Sequence, residues 1–377
     1  MKKILVVDDS ALMRRIVCDI ISSDDDLGAP ETAIDGLDAY NRIKSNDYDV
    51  VVLDMILPRM TGIELLSRMS AENIHVPVII TSSSLKEDAE QTITAMEKGA
   101  IDFVVKPFRG DAKAREEFAD KLLKSVRLAV SHGSNGIKRT TANTTKPVSG
   151  TGSSLNKNVV KGTYSVPKTK SIDNSFTGGE FSPIKGGKIV ALACSTGGPQ
   201  ALHVFMPMLP RNLPCPVVLT QHMPVGFTAG LATRLNSISE VYVKEAEEGE
   251  KLKKGTVYIA PGGKHLEIVQ SGNNVACVSL SDAPPVGTLK PCADVMYKSL
   301  EAMDYDEIIC VVLTGMGADG TNGIAGLKQK KNIYTITQNE ESCVVYGMPR
   351  AVETKGLSNE VVPLDQVAKA ITKKLGV

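Results

Sequence analysis

Between about Ser131 and Lys185 the chain runs through segments such as KRTTANTTKPVSGTGSSLNKN, built from Gly, Ser, Thr, Asn and Lys with almost no large apolar side chains. Such a stretch cannot bury enough surface to offset the entropy of ordering it. It is expected to be a disordered, mildly basic linker whose length lets its flanks dock or separate. Whatever folds must therefore fold on either side of it. The 377 residues divide into a first domain over 1–130, a linker over 131–185 and a second domain over 186–377, each flank long enough for a core of its own.

Charge and cysteine usage narrow the functional classes. With 43 basic and 43 acidic residues the formal net charge is zero, so nothing global attracts the chain to nucleic acid or an anionic membrane. The seven cysteines are scattered and include no C-x-x-C pair, which fits a reducing compartment better than a disulfide framework. The start, MKKILVVDDS, breaks its apolar run at two aspartates, far short of a secretory core. No apolar stretch reaches bilayer length. A cytoplasmic protein without membrane insertion is expected.

In the first domain short β-branched runs (KILVVDD, DVVVLD, VPVIITS, DFVVKP) alternate with amphipathic stretches. That alternation predicts a doubly wound α/β domain, a parallel sheet with helices on both faces. Ligands gather at the carboxyl ends of such strands, so Asp8, Asp9, Asp54, Thr81 and Lys106 should meet on one edge. Three carboxylates held that close repel one another. A hard cation such as Mg²⁺ relieves the repulsion and steadies a phosphoryl group for transfer. Asp54 is the candidate acceptor, Lys106 supplies a fixed positive charge and Thr81 a hydroxyl donor. A single aspartate at a strand end is ordinarily a turn or helix cap; it is the joint placement that argues for chemistry. Lys106 precedes a proline, where a cis bond could fix its direction.

These segments, with GAIDFVVKPF and VVLDMILPRMTG, resemble the receiver domains of two-component response regulators over roughly residues 1–128. The resemblance implies a (βα)5 fold and phosphorylation of Asp54 by a histidine kinase of the CheA type. It also implies Mg²⁺ bound by Asp9, Asp54 and the Ile56 carbonyl with Asp8 nearby, and movement of Phe103 on phosphorylation. Thr61 stands where that family often has Asp.

The second domain opens on the buried-strand pattern KIVALA, followed by the loop CSTGGPQ and an apolar helical run. Further strand patterns (PVVLTQ, VYVKEA, TVYIA, EIICVVL, IYTITQ) predict a mostly parallel α/β sheet with a β-rich insertion around residues 255–280. Ser195, at the first strand-to-helix turn, reads either as a helix cap or anion loop or as an exposed nucleophile. A nucleophile needs a base. Of five histidines, His75 and His132 lie in the first domain and at the linker edge, His203 sits inside a helix, and His265 could touch substrate but a surface position is expected for it. His222 ends a strand at the same carboxyl edge as Ser195. Asp319, in TGMGADG, follows another strand, and the loop glycines let backbone N–H groups near Met316 turn toward a developing oxyanion. Ser195, His222 and Asp319 thus form a candidate nucleophile, general base and orienting acid.

The order Ser, His, Asp and the sequence A-C-S-T-G differ from the G-x-S-x-G pattern of α/β-hydrolases. The segments CSTGGPQAL, TQHMPVGFTAGLATRL, YIAPGGKHLEI, LTGMGADGTNGIAGLK and TQNEESCVVYGMPRAV resemble the chemotaxis protein-glutamate methylesterases of the CheB type. The resemblance implies a serine hydrolase that cleaves glutamate γ-methyl esters on methyl-accepting chemoreceptors, releasing methanol, and deamidates certain receptor glutamines, with no cofactor for hydrolysis. It matches Ser195, His222 and Asp319 to the triad and the Met316 amide to the oxyanion donor. Cys292 stands where that family commonly has Ser. The competing readings are a non-enzymatic response regulator (a phosphate-accepting adaptor or transcription factor), an anion-binding module and a small-molecule amidase. The second half carries no helix-turn-helix pattern or basic recognition helix, which argues against nucleic acid.

Overall fold

The computed structural model describes residues 2–83, 86–107, 112–136, 177–272 and 274–377. In the first unit each β-branched run becomes a strand, and its last polar residue marks where the chain leaves the sheet. The order is β1 (Ile4–Val7), α1 (Ala11–Ser22), β2 (Glu31–Ala33), α2 (Gly36–Ser45), β3 (Val50–Asp54), α3 (Gly62–Ala71), β4 (Val78–Ser82), α4 (Lys86–Glu97), β5 (Asp102–Val105) and α5 (Ala112–Gly136). The sheet runs β2-β1-β3-β4-β5, parallel throughout, and the reversal of strand order beside β1 opens a crevice at the carboxyl edge.

Local sequence fixes the helix starts on that edge. Asp35 accepts the Leu37 and Asp38 backbone N–H groups to cap α2. Thr61 and Glu64 form a reciprocal capping box at α3, in which two orphan donors are satisfied at once. Gly62 is needed there because a Cβ would come within 2.8 Å of the Asp54 carbonyl oxygen.

The second unit continues with β6 (Lys188–Cys194), α6 (Gly198–Phe205), β7 (Val217–Gln221), α7 (Phe227–Ile238), β8 (Tyr242–Glu245), β9 (Thr256–Ile259), β10 (His265–Gln270) and β11 (Ala276–Ser281). It closes with α8 (Ala293–Ser299), β12 (Glu307–Val312), α9 (Thr321–Lys330), β13 (Ile333–Gln338), α10 (Met348–Thr354), β14 (Glu360–Val362) and α11 (Leu364–Leu375). Its seven strands run β14-β13-β12-β6-β7-β9-β8, and every described pairing is parallel. Burial on both faces explains why β6 and β12 read as unbroken apolar runs. The β-rich insertion narrows to one antiparallel hairpin, β10 with β11; the part of it over Thr256–Ile259 is instead a strand of the main sheet.

Most of the linker anticipated over 131–185 lies outside the described residues. At its margins α5 extends to Gly136, and Phe181 and Pro183 bridge to Lys253 and Val275 of the second unit. The two units also touch. One apolar cluster joins Ile93 and Phe103 of the first to Phe205, Phe227 and Leu231 of the second. No helix among the described residues is long and apolar enough to cross a membrane.

Candidate active sites

On the first sheet Asp8 follows β1 and Asp54 ends β3, and their ligand oxygens lie with those of Asp9 within 4.8 Å of one another. Asp8 and Asp54 are buried while Asp9 is exposed. Lys106 Nζ reaches both buried carboxylates, 2.8 Å from Asp8 and 2.7 Å from Asp54, and Asp54 also accepts the Met55 backbone N–H at 2.8 Å. Burial pushes the Asp54 carboxyl above its ordinary range, only partly offset by Lys106. The same burial opposes the Lys106 charge, but Asp54 and Asp8 outweigh it and hold the ammonium on. Thr81 is buried and paired in register with Asp54. The cis bond that could have aimed Lys106 is not used: the cis peptide among the described residues is Lys290–Pro291, and two carboxylates aim the lysine instead. Phe103 points into the contact with the second unit, its ring 4.8 Å from that of Phe227.

On the second sheet Ser195 follows β6, His222 follows β7 and Asp319 follows β12, so all three stand at the carboxyl ends of adjacent strands. The order of strands reverses between β6 and β12, the place where α/β sheets open a crevice. His222 Nε2 is 2.7 Å from Asp319 Oδ2. Against a carboxylate that nitrogen carries the proton and donates, which leaves Nδ1 with the lone pair.

The carboxylate of Asp319 is cradled from several sides. It accepts the Ala293, Asp294 and Gly320 backbone N–H groups at 2.7, 2.9 and 2.9 Å, and the Cys292 thiol at 3.1 Å. Burial opposes its charge, but the His222 ring and the Ala293 and Asp294 N–H groups prevail and hold its pKa down at about 2. Burial and the neighbouring Asp319 push the Cys292 thiol up to about 12, so it donates as a neutral S–H.

The turn that carries Ser195 is equally built. The Ser195 N–H donates to the Thr314 carbonyl at 3.0 Å, and Thr314 Oγ1 donates to the Thr196 carbonyl at 3.0 Å. Gly315 admits this approach, because a Cβ there would lie 2.8 Å from Ser195 Cβ. Gly197, with φ of 76°, closes the turn into α6. Among the described residues no hydrogen bond occupies the Met316 backbone N–H, and Gly317 with φ of 87° follows it.

Comparison with known proteins fits this geometry. The model of the CheB methylesterase family matches residues 190–371, and that of the response regulator receiver domain matches residues 4–115. A protein-glutamate methylesterase/protein-glutamine glutaminase of Halalkalibacterium halodurans is 38% identical over 99% of this chain and 98% of its own. The chain belongs to the CheB methylesterase family. A Bacillus subtilis relative of the same name is 37% identical over 99% of this chain and 98% of its own. The solved Thermotoga maritima CheB methylesterase catalytic domain is 40% identical, covers 50% of this chain and 98% of that one, and superposes with a TM-score of 0.48.

Of the residues singled out in the sequence, the fold brings Ser195, His222 and Asp319 to one edge and Asp8, Asp9, Asp54, Thr81 and Lys106 to another. Ile56 lies two residues beyond Asp54 and is 60% exposed. His265 departs from the surface position expected of it: it is 1% exposed, with Nε2 against the Pro284 carbonyl, because the hairpin folds back over its first residue. The Asp319 cradle was missed. Apart from Gly320, which precedes α9, its donors Cys292, Ala293 and Asp294 open α8, a helix start whose cap position is a cysteine with no side-chain cap bond and so sends only a weak N-terminal signal in the sequence.

Proposed function

We propose that this CheB-family chain hydrolyses glutamate γ-methyl esters on chemoreceptors and deamidates receptor glutamines, under control of phosphorylation at Asp54. The observation that carries the reading is the commitment of His222 Nε2 to Asp319, which turns the ring's basic Nδ1 over to serine chemistry. Ser195 Oγ adds to the ester carbonyl carbon while His222 takes its proton. The Met316 N–H stabilises the oxyanion. As the tetrahedral adduct collapses, the C–O bond breaks and His222 returns the proton to the departing methoxide, giving methanol and an acyl-serine. Water activated by the same ring then adds to the acyl carbon and releases the glutamate carboxylate and Ser195. An amide follows the same course, with ammonia leaving.

In the first unit Asp54 accepts the phosphoryl group from a histidine kinase of the CheA type. The three carboxylates form a hard oxygen donor set that fits Mg²⁺, with Asp9, Asp54 and the Ile56 carbonyl as ligands and Asp8 beside them. Bound there, Mg²⁺ supplies charge neutralisation for phosphoryl transfer. Lys106 and Thr81 are the groups that regroup around the new charge, and Phe103 follows them.

Control of the second unit runs through the interface. Beyond the Phe103–Phe227 stack, Glu97 pairs with Arg234, and Thr196, next to the nucleophile, lies 3.5 Å from Asp102. A first unit held there restricts the approach of a large substrate to Ser195. Loosening it by a few kcal/mol is enough to change the open population severalfold to a hundredfold. The reading is tested by methanol release from methylated receptor membranes: wild type releases it and Ser195→Ala does not, whereas release by neither would favour the non-catalytic readings and equal release by both would refute Ser195 as the nucleophile.

A further inference from the structure

Gln221 is the last residue of β7, paired in register with Cys194, and is 1% exposed. A buried amide must place two hydrogens and an oxygen. Here Nε2 donates to the Ser195 carbonyl at 3.0 Å and to the His222 carbonyl at 3.1 Å, while Oε1 accepts the Cys194 thiol at 3.0 Å. Only this orientation of the amide works, since the reverse would set its oxygen against two carbonyl oxygens. The space for it is reserved as well: a Cβ on Gly198 would lie 2.0 Å from Oε1.

We infer that Gln221 is a positioning residue for hydrolysis: its side-chain amide ties the backbone of the nucleophile residue to that of the base residue and sets their separation. This rests on the triad reading above. The geometry goes further than packing. Of the two backbone bonds near it, Gly198 N–H to the Ser195 carbonyl at 2.7 Å closes the first turn on itself, and His222 N–H to the Cys194 carbonyl at 3.2 Å joins the two strand ends one residue short of Ser195. Gln221 is the side chain whose hydrogen bonds span from one catalytic residue to the other. Among the described residues no hydrogen bond joins Ser195 Oγ to His222, so their approach is governed by the backbones that carry them. A misplacement of ~1 Å at a reacting pair costs roughly a hundredfold in rate.

The test uses the full chain, Mg²⁺, acetyl phosphate and methylated receptor membranes, with kcat and KM for methanol release measured per folded molecule. Gln221→Met keeps the volume and removes the bridge; kcat should fall ~10- to 100-fold with KM within about twofold. Gly198→Ala, which crowds the amide from the other side, should produce the same split. In a Gln221→Ala background, where that space is empty, adding Gly198→Ala should cost little more, giving strong non-additivity. If Gln221→Met does not fold, Gln221→Glu decides: the neutral acid donates to one carbonyl and the carboxylate to neither, so its kcat should fall as pH rises through the carboxyl titration while the wild type's does not. A wild-type kcat per folded molecule in these variants, a defect in KM alone, or additive effects of Gly198 and Gln221 would overturn the inference. Ser195→Ala run alongside separates the two failures, because turnover without Ser195 defeats the triad reading whatever Gln221 does.

Discussion

Replacing Asp319 by Asn is the most informative single change at the hydrolytic site, because the structure gives that carboxylate only acceptor work. Its oxygens receive Nε2–H of His222, three backbone N–H groups and the Cys292 S–H. An Asn side chain has one oxygen and one NH2. If the oxygen stays on the Asp294 and Gly320 N–H groups, the NH2 takes the place of the oxygen shared by His222 and the Ala293 N–H, leaves that N–H unpaired and forces Nε2 to accept, which moves the ring proton to Nδ1 and removes the lone pair Ser195 needs. If the oxygen faces His222, the NH2 meets the backbone N–H groups head-on. The first arrangement leaves fewer donors unpaired, so the folded protein should persist with the wrong tautomer. Such a tautomer error costs about 10⁴ in kcat in serine hydrolases of this logic, or roughly 5 kcal/mol of transition-state stabilisation. Methanol release by phosphodonor-activated Asp319→Asn should therefore drop about 10³- to 10⁴-fold with KM little changed. A kcat within tenfold of wild type, in a folded protein, would refute the assignment of Asp319 as the group that sets the His222 tautomer.

Other expectations follow from the same structure. Asp319 is held near a pKa of about 2 against ~3.9 in an unfolded chain, so it contributes on the order of 2 kcal/mol of stability above that unfolded value. The contribution is lost as pH falls through ~4 toward ~2, and calorimetry should show the stability advantage over Asp319→Asn shrinking across that window. Because burial raises the Asp54 pKa, its ionisation works against folding; Asp54→Asn should stabilise the first unit at neutral pH, with the gain vanishing as pH falls below the carboxylate range in thermal melts. Mg²⁺ at about tenfold its Kd should stabilise the wild-type first unit by ~1.4 kcal/mol, and by much less in Asp54→Asn. Arg234→Glu places a like charge against Glu97 at the interface; methanol release without phosphodonor should rise severalfold, and an unchanged basal rate would argue against a covering role for the first unit.

Both sites were legible because open parallel sheets advertise them: Asp54, Ser195 and His222 each sit where an apolar strand run stops, and Asp319 lies in the loop that follows one. The apolar stretches VVVLD and EIICVV could be read as doubly buried strands, and the polar residue behind each then had one edge to occupy. Residues that act through the backbone were not legible. Gln221 ends a strand like any polar residue, and only the folded register shows its amide between two carbonyls. Cys292, Ala293 and Asp294 reach Asp319 by the packing of α8 against α9, a contact that no local pattern encodes. The strand β2 spans three residues, two of them exposed, too short for an alternation signal. His265 misled because a histidine beside Lys264 in a glycine-rich turn looks solvated, whereas the hairpin buries it under the Pro284 loop.

The coupling of the two units is the centre of the account, and one assay addresses it directly. Methanol release from methylated receptor membranes is measured with wild type, Ser195→Ala and Asp54→Ala, each with and without acetyl phosphate and Mg²⁺. Release that requires Ser195 and rises with the phosphodonor only when Asp54 is present is the predicted result. Release that rises equally in Asp54→Ala, or that persists in Ser195→Ala, would contradict it.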